Sequence, residues 1–252
     1  MARQYFGTDG IRGRVNTPPM TAESALRLAI AAARTFAPNG GREVVIGRDT
    51  RRSGQMIEAA LIAGLTSMGL KPVLLGIVPT PTVALMTRET GAALGLMVSA
   101  SHNKSDDNGI KLFSPAGIKL TDAEEEALEA AMASAFEGDF APPPAISTPH
   151  HMKGATTLYL ERCLETVGTD IDFSGLKIVL DCAHGAAYEV GPAALRQLGA
   201  DVTIIGDTPD GLNINAGVGS TATGLLKSTV TETGADIGIA FDGDADRVIV
   251  ID

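Results

Sequence analysis

Two segments of this chain, LTSMGLKPVLLGIVP (65–79) and LRQLGADVTIIGDTP (195–209), match at a constant spacing of 130 positions. Leu65 and Leu195, Gly69 and Gly199, Gly76 and Gly206, and Pro79 and Pro209 fall together. A helix that stops at glycine and feeds a strand that also stops at glycine is one supersecondary unit. Short β-branched runs alternate with helical patterns on both sides of the match. The expected fold is therefore α/β: two related three-layer α/β/α domains with mixed, mostly parallel sheets.

In the first half the pattern predicts helices over 21–36, 54–68, 82–90 and 121–136, and strands over 43–47, 72–76 and 93–99. IKLFSPAGIKL reads as a hairpin about Pro115-Ala116-Gly117. Thr121 and Glu124 have capping-box spacing. APPPAISTPHH (141–151) reads as a stiff linker, which gives domains at 1–145 and 152–252. The second half repeats the theme, with helices over 153–167, 188–198 and 223–232. Its strands fall at 176–181, 201–206, 237–241 and VIVID. The chain stops at Asp252 directly after that apolar run, so it is expected to be a piece of a longer protein.

The net charge is −10 with no basic run to offset it, and aromatic residues make up 4%. Both argue against nucleic-acid binding, which needs clustered cations and stacking rings. Cys163 and Cys182 lack metal-site spacing and read as inert thiols. MARQYFGTDG has no apolar core of a secretory signal, and no stretch approaches the roughly 18 apolar residues of a membrane helix. A cytoplasmic protein with no membrane partner is expected.

IAFDGDADRVIV (239–250) places Asp242, Asp244 and Asp246 in one loop between two strands. Three carboxylates so close repel one another unless a cation or water compensates them. An all-oxygen set with no His or Cys selects a hard cation such as Mg²⁺, Mn²⁺ or Ca²⁺. An EF-hand would need glycine where Arg247 stands and helices on both sides. A phosphatase with Asp242 as nucleophile would expect Thr or Val at Asp246. A solvated acidic turn is the remaining alternative.

VSASHNKSDDNGIK (98–111) leaves a buried strand, where Ser101 can be held rigidly. Asn108-Gly109 is expected to end this loop in a tight turn, with Lys111 able to reach back toward Ser101. FGTDGIRG (6–13) opens the chain. Its glycines permit close approach of an anion, and Arg12 can grip phosphate with a planar fork.

FGTDGIRG, SASHNKSDDNGIK and DGDADR, in this order and spacing, resemble the α-D-phosphohexomutase family. The resemblance implies a four-domain enzyme of which this chain holds the first half, with domains 3 and 4 absent. It implies that Ser101 carries a phosphoryl group and that this phosphorylation is needed for activity. One Mg²⁺ per chain would be held by Asp242, Asp244, Asp246 and a phosphoserine oxygen of Ser101. Arg12, His102, Lys111 and Arg247 match basic positions around the phosphoserine, Lys111 being the candidate for proton transfer. The implied partners are a hexosamine phosphate and its 1,6-bisphosphate, and a homodimer is left open. Lys104 replaces the family's usual proline. Val218 replaces a cysteine in NINAGVGST (213–221), and Ala222-Thr223-Gly224 stands where His-Pro-Glu often follows.

The charges support that reading. Three carboxylates and a phosphoserine of about −1.5 to −2, against a divalent cation, leave a deficit of roughly −3. Arg12, Lys111 and Arg247 would about cancel it. The alternatives are another hexose-phosphate specificity in the same family, a Mg²⁺-dependent phosphatase using Asp242, or a non-enzymatic metal-binding or dimerising piece.

Overall fold

The computed structural model describes residues 5–7 and 10–252. Its first sheet has seven strands: β1 (Phe6–Gly7), β2 (Gly10–Arg14), β3 (Glu43–Arg48), β4 (Lys71–Ile77), β5 (Leu94–Val98), β6 (Asp107–Phe113) and β7 (His150–His151). They lie in the order β1-β2-β6-β5-β3-β4-β7. The β5-β3-β4-β7 pairs are parallel, and the β1-β2-β6-β5 pairs antiparallel. The period of two sends Val44, Ile46, Leu94, Leu96 and Val98 to one face, while Val45 and Met97 face the other. The first face is covered by α1 (Ala22–Phe36), α2 (Gly54–Ser67) and α4 (Asp122–Ala133), through Leu28, Ile57, Leu61 and Leu128. The opposite face is covered by α3 (Thr80–Thr90) and α5 (Ala155–Glu165), through Val83, Met86 and Ala155.

The second sheet holds β8 (Lys177–Asp181), β9 (Asp201–Ile205), β10 (Ile237–Phe241) and β11 (Val248–Ile251), in the order β11-β10-β8-β9. Leu226 and Val230 of α7 (Gly224–Thr233) pack on Val179 and Ala240. On the other side α6 (Val190–Gln197) comes close to Leu180 and Phe241 at Gly191. Helix α5 packs against both α3 and α6, so it ties the two units together.

The 130-residue match is a structural repeat. Gly69 and Gly199 follow α2 and α6 with φ of 75° and 95°, the left-handed conformation that closes a helix. Leu70 N donates to Leu65 O at 3.0 Å, and Ala200 N to Leu195 O at 3.1 Å, so the same cap recurs. The repeat extends to strand order. In each sheet a parallel trio (β5-β3-β4, β10-β8-β9) is flanked by an antiparallel strand (β6, β11) beside its first member. The serine loop joins β5 to β6 and the acidic loop joins β10 to β11, so the two loops occupy equivalent places.

Several local expectations are corrected. Asn108-Gly109 is not a turn; both residues lie inside β6, paired with Gly13 and Arg12 of β2. Glycine is needed at 109 because a Cβ there would sit 2.5 Å from Ser99 O and 2.8 Å from Ile11 O. The 114–117 turn forms, with Gly117 N donating to Ser114 O at 2.8 Å, but the return arm shrinks to one bridge, Phe113 to Lys119. Helix α3 starts two residues early because Pro81 suits its first turn. The 141–151 segment is docked along its length. Ala141 N donates to Ser67 O, the Ser147 hydroxyl to Leu70 O, and His150–His151 covers the open edge of β4. Of FGTDGIRG, Thr8 and Asp9 lie outside the described residues. Gly10 has φ 74° and packs against the Ile110 backbone, so its lack of a side chain serves sheet packing.

Candidate active site

The serine loop begins where β5 ends. Ser101 is fully buried and has φ 52°, a left-handed conformation that a serine holds only when its surroundings fix it. Those surroundings are a buried polar network. Ser99 Oγ donates to Asp49 Oδ2 at 2.7 Å and accepts from Ser101 N at 2.9 Å. Arg51, 0% exposed, donates Nε to Asp49 at 2.9 Å. Its other donors reach four carbonyls of the loop: Ser101 (2.9 Å), Asn103 (2.7 Å), Lys104 (2.5 Å) and Asp107 (3.1 Å). All five guanidinium N–H groups are thereby used. Burial pushes the Asp49 carboxyl above its ordinary range, and the Arg51 charge works against that shift.

The acidic loop meets the serine loop directly. Ser101 Oγ donates to Asp242 Oδ2 at 2.5 Å, across 141 positions of chain. Asp244 Oδ2 accepts from Thr80 Oγ1 at 2.5 Å and from Lys111 Nζ at 2.8 Å, and Asp246 Oδ2 from the same Nζ at 2.7 Å. One oxygen of each of the three carboxylates lies within 4.8 Å of the others. Glycine at 243 lets the loop come this close, since a Cβ there would sit 2.7 Å from Ser101 O and from Asn215 Nδ2. Burial first, and then the charge of Asp244, pushes the Asp242 carboxyl up to about 6. Burial would lower the Lys111 ammonium, but its ion pairs with Asp244 and Asp246 outweigh that and hold it above the usual lysine range.

The four basic positions converge on the same end of the sheets. Arg12 and Lys111 lie on β2 and β6, each one residue along from a core residue, Ile11 and Ile110. Alternation therefore puts both on the face opposite α1, α2 and α4. Arg247 Nη1 lies 3.2 Å from His102 Nδ1 and its Nε 3.6 Å from Asp246. Burial, then the charges of Arg247 and Arg12, lower the His102 pKa, against the opposing charges of Asp244 and Asp246. Ser101 Oγ is 3.5 Å from His102 Nδ1 and directs its hydrogen to Asp242 instead. The adjacent Ser-His pair is thus not arranged as a nucleophile and its base.

The trio fits a hard divalent cation. Asp244 Oδ1 is buried without a hydrogen-bond partner among the described residues, and an orphaned carboxylate oxygen in an all-oxygen cluster is what a cation would satisfy.

Four residues escaped the sequence reading: Asp49, Arg51, Thr80 and Asn215. Asp49 and Arg51 follow a strand directly, where open α/β sheets place their sites, and that position was the available signal. Asn215 sits in NINAGVGST, which the resemblance had singled out. Nothing local marked Thr80.

Two α/β/α units whose twin loops join a buried serine to a carboxylate trio define a phosphohexomutase-type site. The chain belongs to the phosphoglucomutase/phosphomannomutase family: the model of its α/β/α domain I matches residues 3–139, and that of domain II residues 157–252. It is 73% identical over 252 residues to a phosphoglucosamine mutase of Hyphomonas neptunium, and 52% identical over 254 residues to one of a Jannaschia species. In both cases the match covers 100% of this chain and 56% of the relative, so the chain spans little more than half their length. A crystal structure of a phosphoglucomutase/phosphomannomutase family protein from Burkholderia thailandensis superposes with a TM-score of 0.83. It is 26% identical, and the match covers all of this chain and 55% of that one. The Hyphomonas and Jannaschia relatives are both mutases by name, and neither is named a phosphatase. Among the described residues no helix is long and apolar enough to cross a membrane.

Proposed function

We propose that this chain is the front half of a phosphoglucosamine mutase, interconverting glucosamine 6-phosphate and glucosamine 1-phosphate and so feeding UDP-N-acetylglucosamine and cell-wall synthesis. The observation that carries the reading is the 2.5 Å approach of Ser101 Oγ to Asp242. It puts a buried hydroxyl at the edge of a cation-fitting cluster. The sugar assignment follows the phosphoglucosamine mutases to which the chain is similar.

In the proposed reaction the phosphoryl group leaves Ser101 Oγ and bonds to the C1 hydroxyl oxygen of glucosamine 6-phosphate, which gives up its proton. The 1,6-bisphosphate turns over, and its 6-phosphoryl group bonds to Ser101 Oγ while O6 regains a proton. Asp242, Asp244, Asp246 and Ser101 would hold Mg²⁺. A bound Mg²⁺ supplies neutralisation of the transferring group and of the leaving serine oxygen. Arg51 holds the serine loop still, which matters because phosphoryl transfer depends mostly on positioning. Arg12 and Arg247 supply positive charge to the phosphoserine. Lys111 is bound to two carboxylates and acts as their charge partner; release from them is what would let it exchange a proton with the sugar hydroxyl.

The two units, 1–145 and 152–252, would then divide the chemistry, one carrying the phosphoryl group and the other the metal. The test is intact-mass spectrometry of the full-length protein during turnover. A phosphate on Ser101 that passes to glucosamine 6-phosphate supports the proposal. A full-length S101A variant with undiminished mutase turnover overturns it.

A further inference from the structure

We propose that Asn215 is a positioning residue through which the second unit sets the orientation of Ser101. This rests on the reading of Ser101 as the phosphoryl carrier. Asn215 is 4% exposed, and its backbone is anchored beyond β8 by donation from Asn215 N to Ala183 O at 2.9 Å. Its side-chain amide crosses to the first unit. Nδ2 donates to Ser101 O at 2.8 Å and to Asn103 O at 2.9 Å, which uses both of its hydrogens.

Those two carbonyls are the ones that Nη2 of Arg51 grips from the other side. Each carbonyl therefore accepts two bonds, one from each unit, which is its full capacity. The direction of the Ser101 carbonyl is set by ψ of Ser101. Pinning it from both sides fixes the backbone that aims Oγ at the acidic loop. That backbone stands at φ 52° and would relax if one grip were lost. The amide has one workable orientation, because turning it over would press Oδ1 against two carbonyl oxygens. In the observed orientation Oδ1 is buried without a partner among the described residues. The two donations outweigh the cost of leaving that one acceptor unsatisfied. Asn215 also lies against Gly243, between Asp242 and Asp244, so one side chain touches both loops. It contacts neither Ser101 Oγ nor a carboxylate of the trio, and so acts through the loop backbone.

The decisive variant is N215D, which keeps the shape and replaces the double donor by an acceptor facing two carbonyls. N215A removes the donors without adding charge and covers the case in which N215D does not fold. In the full-length protein, kcat per folded, Ser101-phosphorylated molecule should fall on the order of 10²-fold for N215D and at least about tenfold for N215A. KM for glucosamine 6-phosphate should stay within about threefold, because a misaimed group costs rate and not substrate affinity. A lower melting temperature with kcat unchanged would mean that Asn215 only stabilises the fold, and would overturn the proposal. S101A serves as the separating control. If S101A is inactive while N215A turns over like the parent, this inference alone fails; if S101A is active, the phosphoserine reading itself fails.

Discussion

Ser101 Oγ and Asp242 Oδ2 stand 2.5 Å apart across the seam between two sheets. Neither residue could be brought there by its own unit. On the proposed reading, the S101A variant of the full-length protein should lose mutase turnover by at least about 10³-fold, as expected for removal of a group that would become covalently bound. Its fold should survive, because among the described residues the lost hydroxyl hydrogen-bonds only with Asp242 and His102. Steady-state assays combined with circular dichroism measure both.

The Asp49–Arg51 pair is wholly buried, and Arg51 gives its four remaining donors to the serine loop. Removing one member of a buried ion pair typically costs about 3–5 kcal/mol. R51A should lower the urea unfolding free energy by about that amount. R51K should recover little, since three flexible donors cannot replace five in a planar fork. Recovery to within about 0.5 kcal/mol of the parent would show that the geometry of the fork is unimportant.

Magnesium should bind the 252-residue chain itself, because all three carboxylates lie within it. Calorimetry should detect binding, and about a hundredfold excess over Kd should raise stability by about 2.7 kcal/mol. D244N should weaken binding at least about tenfold, by analogy with the losses that follow disruption of metal sites. Equal affinity in D244N would remove Asp244 from the ligand set.

Cys182 is fully buried, and burial, reinforced by the nearby charges of Asp181 and Asp207, pushes its thiol up to about 12. At pH 8 the reactive thiolate is therefore strongly disfavoured there. Alkylation by iodoacetamide should leave Cys182 unmodified in the native protein and label it on unfolding. Peptide mass spectrometry after a short exposure reports the difference, and rapid native labelling of Cys182 would contradict the packing around it.

The alternation of strand and helix was legible because each element carries its own period. The capping box at Thr121 and Glu124 is present as read, and the glycines of the 65–79 and 195–209 match recur at left-handed positions. The acidic trio was legible from its composition alone, since no solvent-free loop carries three carboxylates without a counter-charge. Contacts that join distant segments were not. Asn108-Gly109 looks like a turn to any local rule, and only its pairing partner, β2, makes it strand. The role of Arg51 depends on four carbonyls converging around it, and Asn215 depends on the second unit meeting the first. No window of sequence contains that information.

The matching strand orders place the proposed phosphoryl carrier and the proposed metal ligands at equivalent corners of two like scaffolds. Each unit has the same architecture and would hold half of the chemistry. A twist of either sheet relative to the other would strain the Ser101–Asp242 and Asn215–Ser101 hydrogen bonds that join the two corners. Alignment of the proposed site is thus tied to the mutual pose of the two units.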